Sequence, residues 1–226
     1  MIQNRIITWA KRKLFSTVSQ IHRKTAKWEV ERTLASLKSR GEGIYIDPSV
    51  RLYGPEYIAI GAGTRIELDS RLQAIDWYPP SGQRFQPEII IGERCFIEFF
   101  VHIGACYRVE IGNDVTIASG CYISDHQHRY DDPLTPISLQ SLTEEGHVII
   151  GDDSFIGERA CVFSNVTIGR HVVVGANSVV TRNIPSYCVA AGVPARVLRH
   201  YSFEQKTWVA GAPVASALEA DTNLAT

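Results

Sequence analysis

Two histidines and several acidic residues lie close together in one short polar segment of the chain. Residues 124–133 read Ser-Asp-His-Gln-His-Arg-Tyr-Asp-Asp-Pro, which places imidazoles at His126 and His128. A histidine with a pKa near its unperturbed value of about 6.5 is the usual general base at neutral pH. The segment therefore contains candidates for proton-transfer catalysis, although a polar surface loop also acquires histidines that have no catalytic role.

The same segment has side chains of the types that bind metal ions. His126, His128 and Asp131 are suitable ligands by residue type. The next histidine, His147, lies nineteen residues after His128, so no third imidazole falls at a spacing typical of a zinc site. We therefore expect no metal, and we treat the two histidines as acid–base candidates.

A six-residue repeat of aliphatic residues surrounds this segment and must position it. The aliphatic residues at this spacing are Ile60, Ile66, Leu72, Ile91, Ile97, Ile103, Ile111, Ile117, Ile123, Ile150, Ile156, Val162, Ile168, Val174 and Val180. Because glycine often follows the aliphatic residue, each unit reads as a short strand and a turn. Such a unit cannot bury its apolar side alone, which favours coils that stack at about 4.8 Å. The sequence therefore predicts an all-β solenoid.

Two interruptions break the repeat, at residues 73–90 and 124–149. Insertions in a solenoid form loops on its surface, where binding sites usually lie. The second interruption contains the two histidines. The first contains Trp77 and Tyr78, whose flat rings are suited to stacking on sugars but could equally seal the loop or a contact between subunits.

Charge is distributed unevenly along the chain. Residues 1–40 contain ten Lys or Arg and two acidic residues, whereas the remainder contains thirteen and twenty-two. Apolar residues recur at roughly helical spacing in residues 1–40, so we expect a basic amphipathic helix that packs on the protein or lies on an anionic membrane surface. We expect no signal peptide and no membrane-spanning segment, and the acidic remainder argues against nucleic-acid binding.

These patterns predict three segments and a cytoplasmic protein. The segments are a basic helical segment (1–42), the solenoid domain (43–200) and a C-terminal tail (201–226) rich in small residues. The five cysteines are scattered without a C-x-x-C pair, which is typical of reduced thiols that pack in a cytoplasmic protein. Cys106 is the best candidate for the alternative, a catalytic thiol. Residues 1–40 are a candidate contact with the inner face of the membrane.

The repeat and the histidine segment together resemble the bacterial hexapeptide-repeat acetyltransferases, most closely those that act on galactosides, maltose, O-antigen or capsule sugars. The sequences that carry the resemblance are IGNDVTIASGCYISDHQH, IGDDSFIGERACVFSNVTIGRHVVVGANSVVTRNIP and VAAGVPARV, within residues 44–200. The resemblance implies a left-handed parallel β-helix, acetyl-CoA as the acyl donor, and active sites between adjacent subunits of a homotrimer.

The same resemblance suggests catalytic and acceptor-binding residues. His128 falls at the position of the family's catalytic histidine, with His126 beside it. It would remove the proton from an acceptor hydroxyl, and no covalent enzyme intermediate would form. Asp125, Asp131 or Glu98 would orient the imidazole, and each is equally compatible with a solvated acid in a loop or at a corner. The candidates for acceptor binding are Glu98, Asp125, Trp77 and Tyr78.

Cofactor contacts are implied for the C-terminal coils. The residues at the family's cofactor positions are Gly157, Ala176, Thr181, Arg182 and Arg196. Small residues leave room for an extended pantetheine arm, and arginine is suited to binding phosphate. The alternative for Arg182 is a solvated corner residue.

The sequence departs from the galactoside enzyme's pattern at several positions. Glu98 replaces an amide that contacts sugar, Ala105-Cys106 replaces an acidic pair, and Glu158 replaces a small residue near the thioester. The acceptor is therefore expected to differ from a simple galactoside.

The resemblance favours an acetyl-CoA-dependent O-acetyltransferase that acts on a sugar hydroxyl in cell-surface polysaccharide or glycolipid synthesis. The alternatives are an N-acetyltransferase for a nucleotide-linked amino sugar and an antibiotic-modifying O-acetyltransferase. A γ-type carbonic anhydrase would need three zinc-binding histidines, and the spacing of the two histidines here does not match that family. An inert scaffold of the same fold would have no use for the histidine loop.

Overall fold

The computed structural model describes Thr25, Trp28 and residues 30–213. The internal contacts divide the chain into two units, residues 1–36 and 37–226. In the first unit, Thr25, Trp28 and residues 30–36 are helical, and the Arg32 guanidinium lies 5.6 Å from the centre of the Trp28 ring. Most of the predicted helix in residues 1–42 lies outside the described residues. Among those described, no helix has the length and apolar character needed to cross a membrane.

The second unit is built almost entirely from short strands. They are β1 (Ser39–Arg40), β2 (Tyr45–Ile46), β3 (Arg51–Tyr53), β4 (Ile58–Ile60), β5 (Arg65–Ile66), β6 (Arg71–Ala74), β7 (Trp77–Tyr78), β8 (Gln83–Arg84), β9 (Glu88–Ile91), β10 (Phe96–Ile97), β11 (His102–Ala105), β12 (Arg108–Ile111), β13 (Thr116–Ile117), β14 (Tyr122–Ser124), β15 (His147–Ile150), β16 (Phe155–Ile156), β17 (Cys161–Val162), β18 (Val166–Ile168), β19 (Val173–Val174), β20 (Val179–Val180), β21 (Cys188–Gly192), β22 (Ala195–Ser202) and β23 (Thr207–Ala210). Two short 3-10 helices, Pro55–Tyr57 and Ile137–Leu139, lie in the connections.

Three parallel sheets form the faces of a left-handed β-helix. Sheet 1 has the order β1-β4-β9-β12-β15-β18, sheet 2 begins β2-β5-β10-β13-β16-β19-β21, and sheet 3 has the order β20-β17-β14-β11-β6-β3. The chain visits sheets 1, 2 and 3 in turn, so each coil adds one strand to each face. The predicted all-β solenoid is confirmed.

The repeated aliphatic residues stack directly above one another inside the coils. In sheet 2 the paired residues are Ile46, Ile66, Ile97, Ile117, Ile156 and Val174. Each of these side chains is at most 3% exposed. Because complete burial of such a side chain stabilises the fold by about 1.5–3 kcal/mol, the column is a main source of stability.

Glycine after the aliphatic residue allows the coils to approach closely. A Cβ atom on Gly61 would lie 2.5 Å from the carbonyl carbon of Gly92 in the next coil. Any other residue at this turn would therefore force the backbones apart.

The C-terminal end of the helix is extended by an antiparallel hairpin. Strand β22 pairs with β21, and β23 pairs with β22. The rings of Tyr201 and Trp208 make an edge contact, with centroids 5.7 Å apart. The predicted tail at 201–226 thus begins inside β22 and includes β23, and residues 214–226 lie outside the described part of the chain.

Both interruptions of the repeat leave the helix at the same corner. The first insertion (residues 75–87) follows β6, and the second insertion (residues 125–146) follows β14, so each connects sheet 3 to sheet 1. We call this edge the insertion corner. Between the two insertions along this edge lies the short turn from β11 to β12, formed by Cys106 and Tyr107. The topology therefore brings the two insertions together.

Candidate functional site

The two insertions contact each other directly. Strands β7 and β8 form a hairpin in the first insertion. The Gln83 side chain accepts a hydrogen bond from the Leu142 backbone N–H at 2.7 Å and donates one to the Leu142 carbonyl at 3.1 Å. Tyr107, in the turn between them, contacts the Phe85 ring edge-on at 5.4 Å and donates its hydroxyl to the Thr143 carbonyl at 2.7 Å. The hairpin therefore supports the second insertion.

His128 lies in the second insertion and is held by this support. Its backbone forms an antiparallel bridge with Leu142, the residue that Gln83 binds. Its Nδ1 atom is 3.3 Å from the Tyr78 hydroxyl, which also lies 3.2 Å from the Ser138 carbonyl oxygen. The Tyr78 and His128 rings meet edge-on with centroids 5.7 Å apart. The side chain is thus oriented through Nδ1 while the residue itself remains exposed.

His126 has a different partner, the buried carboxylate of Asp125. The His126 Nδ1 atom is 2.9 Å from Asp125 Oδ1. The same carboxylate accepts the backbone N–H groups of Cys106 at 2.9 Å and Tyr107 at 2.8 Å. Asp125 is 0% exposed, so no oxygen faces a substrate. The buried carboxylate is thus in a position to orient His126.

A third histidine, His102, lies beside this pair on the outer face of sheet 3. Its pKa is lowered from 6.5 to about 4, mainly by burial and then by the positive charge of Arg71 and the proximity of His126. The Arg71 Nη2 atom is 3.1 Å from the His102 Nδ1 atom. The imidazole is therefore neutral over the physiological range.

His102 and Arg71 are not among the residues expected at the site from the sequence, although their spacing contains a signal. Arg71 and His102 pair across neighbouring coils, and His102 pairs with Tyr122. Each precedes a repeated aliphatic residue, which places it on the outside of the same sheet. When the six-residue units of successive coils are written one below another, Arg71, His102 and Tyr122 fall in one column.

Three potential metal ligands come close together near the insertion corner. Atoms of Cys106, Asp125 and His126 lie within 4.8 Å of one another. The Asp125 oxygens are already engaged by N–H donors, and burial together with Asp125 raises the pKa of the Cys106 thiol. A protonated thiol is a poor ligand and a poor nucleophile, so the arrangement suits hydrogen bonding and packing, and Cys106 does not fit the role of a catalytic thiol.

An open pocket lies next to His128. Its volume is about 450 Å³, and it is lined by Gln127, His128, Arg129, Tyr130, Asp131, Thr143, Glu144, Glu145 and Asn165. Arg129 forms ion pairs with Asp131 at 2.6 Å and with Glu144 at 3.0 Å. The wall therefore contains carboxylate, guanidinium and amide groups.

The other predicted acceptor residues are divided between two places. Trp77 is 48% exposed on the hairpin, with the Arg84 guanidinium 4.8 Å from its ring centre. Glu98 follows β10, at the corner between sheets 2 and 3. Its carboxylate accepts hydrogen bonds from the Ser119 N–H at 3.1 Å and the Ser119 hydroxyl at 2.8 Å. Glu98 is therefore at a different corner from His128.

The predicted cofactor residues also lie at more than one place. Gly157 follows β16 and Ala176 lies just after β19, so both share the sheet 2–3 corner with Glu98. Thr181 and Arg182 follow β20 at the insertion corner, and Arg196 lies in β22. Gly157 and Ala176 are therefore at a different corner from His128, whereas Thr181 and Arg182 share its corner.

Comparison with known proteins agrees with this architecture. Residues 147–182 match the family model described as the hexapeptide repeat of succinyl-transferase. The chain is 39% identical over 127 residues to the putative lipopolysaccharide biosynthesis O-acetyl transferase WbbJ of Escherichia coli K12, covering 53% of this chain and 64% of that protein. It is 34% identical to the galactoside O-acetyltransferase of the same organism, covering 57% of this chain and 62% of that protein. The chain thus spans less than two thirds of these relatives.

Solved structures show the same fold. The N-acyltransferase AntD from Bacillus cereus, solved with dTDP and 3-hydroxybutyryl-CoA, superimposes with a TM-score of 0.62 at 20% identity, covering 88% of this chain and 94% of that chain. At this identity the likeness concerns the fold. The six-residue repeat, the three-sheet β-helix and the similar sequences agree in making this chain similar to hexapeptide-repeat acetyltransferases.

Proposed function

We propose that this protein transfers the acetyl group of acetyl-CoA to a hydroxyl group of a saccharide, with His128 as the general base. The observation that carries the proposal is the position of His128. His128 is one of the residues that line the pocket of about 450 Å³, and its imidazole is oriented through Nδ1 by Tyr78. An imidazole held through Nδ1 keeps Nε2 available to accept a proton, which is what general-base catalysis requires.

The chemical step needs only the imidazole and the two substrates. The Nε2 atom of His128 accepts the proton of the acceptor hydroxyl while that oxygen attacks the thioester carbonyl carbon. The carbon–sulfur bond then breaks, an acetyl ester remains on the acceptor, and the coenzyme A thiolate takes the proton back from the imidazolium. His126, held by Asp125 at 2.9 Å, supports the start of the loop.

The pocket and the similar proteins support a saccharide hydroxyl as acceptor. Asp131, Glu144, Glu145 and Asn165 line the pocket, and their oxygens accept hydrogen bonds from hydroxyl groups. The E. coli relatives at 39% and 34% identity are named as O-acetyltransferases. Acetylation of a cell-surface polysaccharide or glycolipid is the role that fits these names best.

We further propose that the active protein is a homotrimer in which each site lies between two chains. Gly157, Ala176 and Glu98 lie at the sheet 2–3 corner, away from the insertion corner of the same chain. A neighbouring copy would bring its sheet 2–3 corner against the insertion corner, where Thr181 and Arg182 lie. The small residues would then line the pantetheine arm and the arginines would pair with the phosphates.

The test is to incubate the purified protein with acetyl-CoA carrying an isotopic label and a panel of saccharides. We expect label in the saccharide, one coenzyme A released per acetyl group transferred, and loss of the label in mild alkali, which hydrolyses esters and spares amides. Alkali-stable label would contradict O-acetylation and support the N-acetyltransferase alternative. Absence of both transfer and acetyl-CoA binding would contradict the proposal.

A further inference from the structure

We propose that Tyr78, in the first insertion, is a positioning residue that sets the tautomer of His128. This inference rests on the proposed function, because the tautomer determines which nitrogen can accept a proton. The Tyr78 hydroxyl lies between two groups, the Ser138 carbonyl oxygen at 3.2 Å and the His128 Nδ1 atom at 3.3 Å. The three groups form a short chain from the backbone to the imidazole.

The number of protons that these groups can donate decides which group is the donor in each of the two hydrogen bonds. A carbonyl oxygen can only accept a hydrogen bond, and a phenol has a single proton to donate. When Tyr78 donates to Ser138, its oxygen is free to accept, so the His128 Nδ1 atom must carry the proton. In the neutral ring the Nε2 atom is then bare, which is the form that a general base needs.

The opposite arrangement would inactivate the base. If Tyr78 donated to the Nδ1 atom, the proton of the neutral ring would lie on Nε2, which could not then accept a proton from the substrate. The Ser138 carbonyl would also lose its partner and face the phenol oxygen at 3.2 Å. The productive arrangement makes both hydrogen bonds of this chain, whereas the opposite arrangement makes only one, so the geometry favours the productive tautomer.

The surrounding contacts keep Tyr78 and His128 next to each other. Tyr78 belongs to β7, and the opposite strand β8 contains Gln83. Gln83 binds both backbone polar groups of Leu142, and Leu142 forms the backbone bridge to His128. The hairpin thus holds the side chain of His128 through Tyr78 and its backbone through Gln83. Tyr78 acts through the histidine here, a role different from the two expected from the sequence, which were an acceptor contact and a seal of the loop or of a contact between subunits.

The test combines nitrogen-15 NMR of histidine-labelled protein with steady-state kinetics. A bare and a protonated imidazole nitrogen have well-separated resonances, and the His128→Asn spectrum assigns the His128 signals. In the wild-type protein we expect a protonated Nδ1 atom and a bare Nε2 atom. In Tyr78→Phe, which keeps the ring and removes the hydroxyl, we expect the population to shift toward the Nε2–H tautomer. The same variant should lower kcat about ten-fold with an unchanged KM for acetyl-CoA.

The matched control is Tyr53→Phe, which removes the same hydroxyl from an exposed tyrosine in the first coil. It should leave both the tautomer and kcat unchanged. A wild-type His128 with its proton on Nε2 would overturn the proposal even if Tyr78→Phe failed to fold, and so would an unchanged tautomer in a folded Tyr78→Phe. Because the spectrum needs no turnover, the inference about the tautomer can be judged even if acetyl transfer is absent.

Discussion

Two histidines separated by one residue have different partners, and this difference separates their chemistry. His126 points its Nδ1 atom at a fully buried carboxylate, and its side chain is 14% exposed. His128 contacts a tyrosine hydroxyl and lines an open pocket. A base that acts on an incoming hydroxyl must be accessible to it, so the structure favours His128. The sequence alone placed both imidazoles in one loop and could not distinguish their partners.

The lowered pKa of His102 predicts a pH dependence of stability. The unfolded chain protonates this histidine near pH 6.5, whereas the folded chain does so only near pH 4. Between these values the unfolded state binds more protons, so the free energy of unfolding decreases as the pH is lowered. The contribution is fully present above pH 6.5 and is lost on the way to about pH 4.

Substitution of His102 tests this dependence. Urea unfolding of His102→Gln between pH 7 and pH 4 should show a smaller loss of stability than the wild-type protein. Arg71→Gln should also reduce the loss of stability, but by less than His102→Gln. Burial is the first cause of the lowered His102 pKa, and the charge of Arg71 is the second. Identical slopes for wild type and His102→Gln would mean that His102 is not the group responsible.

At the scale of the elements, the six-residue pattern predicted more of the β-helix than of the two insertions. A buried side chain every six residues fixes which residues stack, and the strands pair in that register, as Ile97 and Ile117 do. The contacts between the two insertions do not follow the six-residue spacing. Tyr78 and His128 are fifty residues apart, and their approach depends on both insertions leaving the same corner. A single sequence contains no signal for such a pair.

The Asp125 side chain links the second insertion to the turn formed by Cys106 and Tyr107, and its removal should destabilise the fold. Its buried carboxylate accepts two backbone N–H groups and contacts His126. Asp125→Ala would leave these donors without an acceptor, and we expect the free energy of unfolding to fall by about 3 kcal/mol. Urea denaturation at pH 7 measures this change.

The control is Asp131→Ala, in the same insertion. The Asp131 side chain is 64% exposed and pairs with Arg129 at 2.6 Å. Exposed pairs contribute less than about 1 kcal/mol, so this variant should unfold close to the wild-type protein. Equal effects of the two substitutions would contradict the anchoring role of Asp125.

At the scale of the whole molecule, the charge asymmetry is the feature that the β-helix does not explain. Residues 1–40 have ten basic and two acidic residues, and the remainder is acidic. We expect this basic segment to bind anionic lipid surfaces, since each Lys or Arg near such a surface contributes about 1 kcal/mol. Membrane association would place the protein near a lipid-linked form of the proposed saccharide acceptor.

A vesicle sedimentation assay tests the membrane contact. The full chain should sediment with vesicles that contain phosphatidylserine and should remain in solution with purely zwitterionic vesicles. A chain that begins at Leu37, the start of the second unit, should lose this binding and keep its oligomeric state. Unchanged sedimentation after the deletion, or dissociation to monomers, would instead favour a helix that packs on the protein.

The rate of acetyl transfer by His128→Asn tests the central claim most directly. General-base catalysis contributes about 10²–10⁴-fold to a rate, so this variant should lose kcat by that factor while its acetyl-CoA affinity stays near the wild-type value. His126→Asn, measured alongside, should have a milder effect because that imidazole supports the loop. A His128→Asn enzyme that turns over at the wild-type rate would contradict the assignment of the general base and, with it, the proposed mechanism.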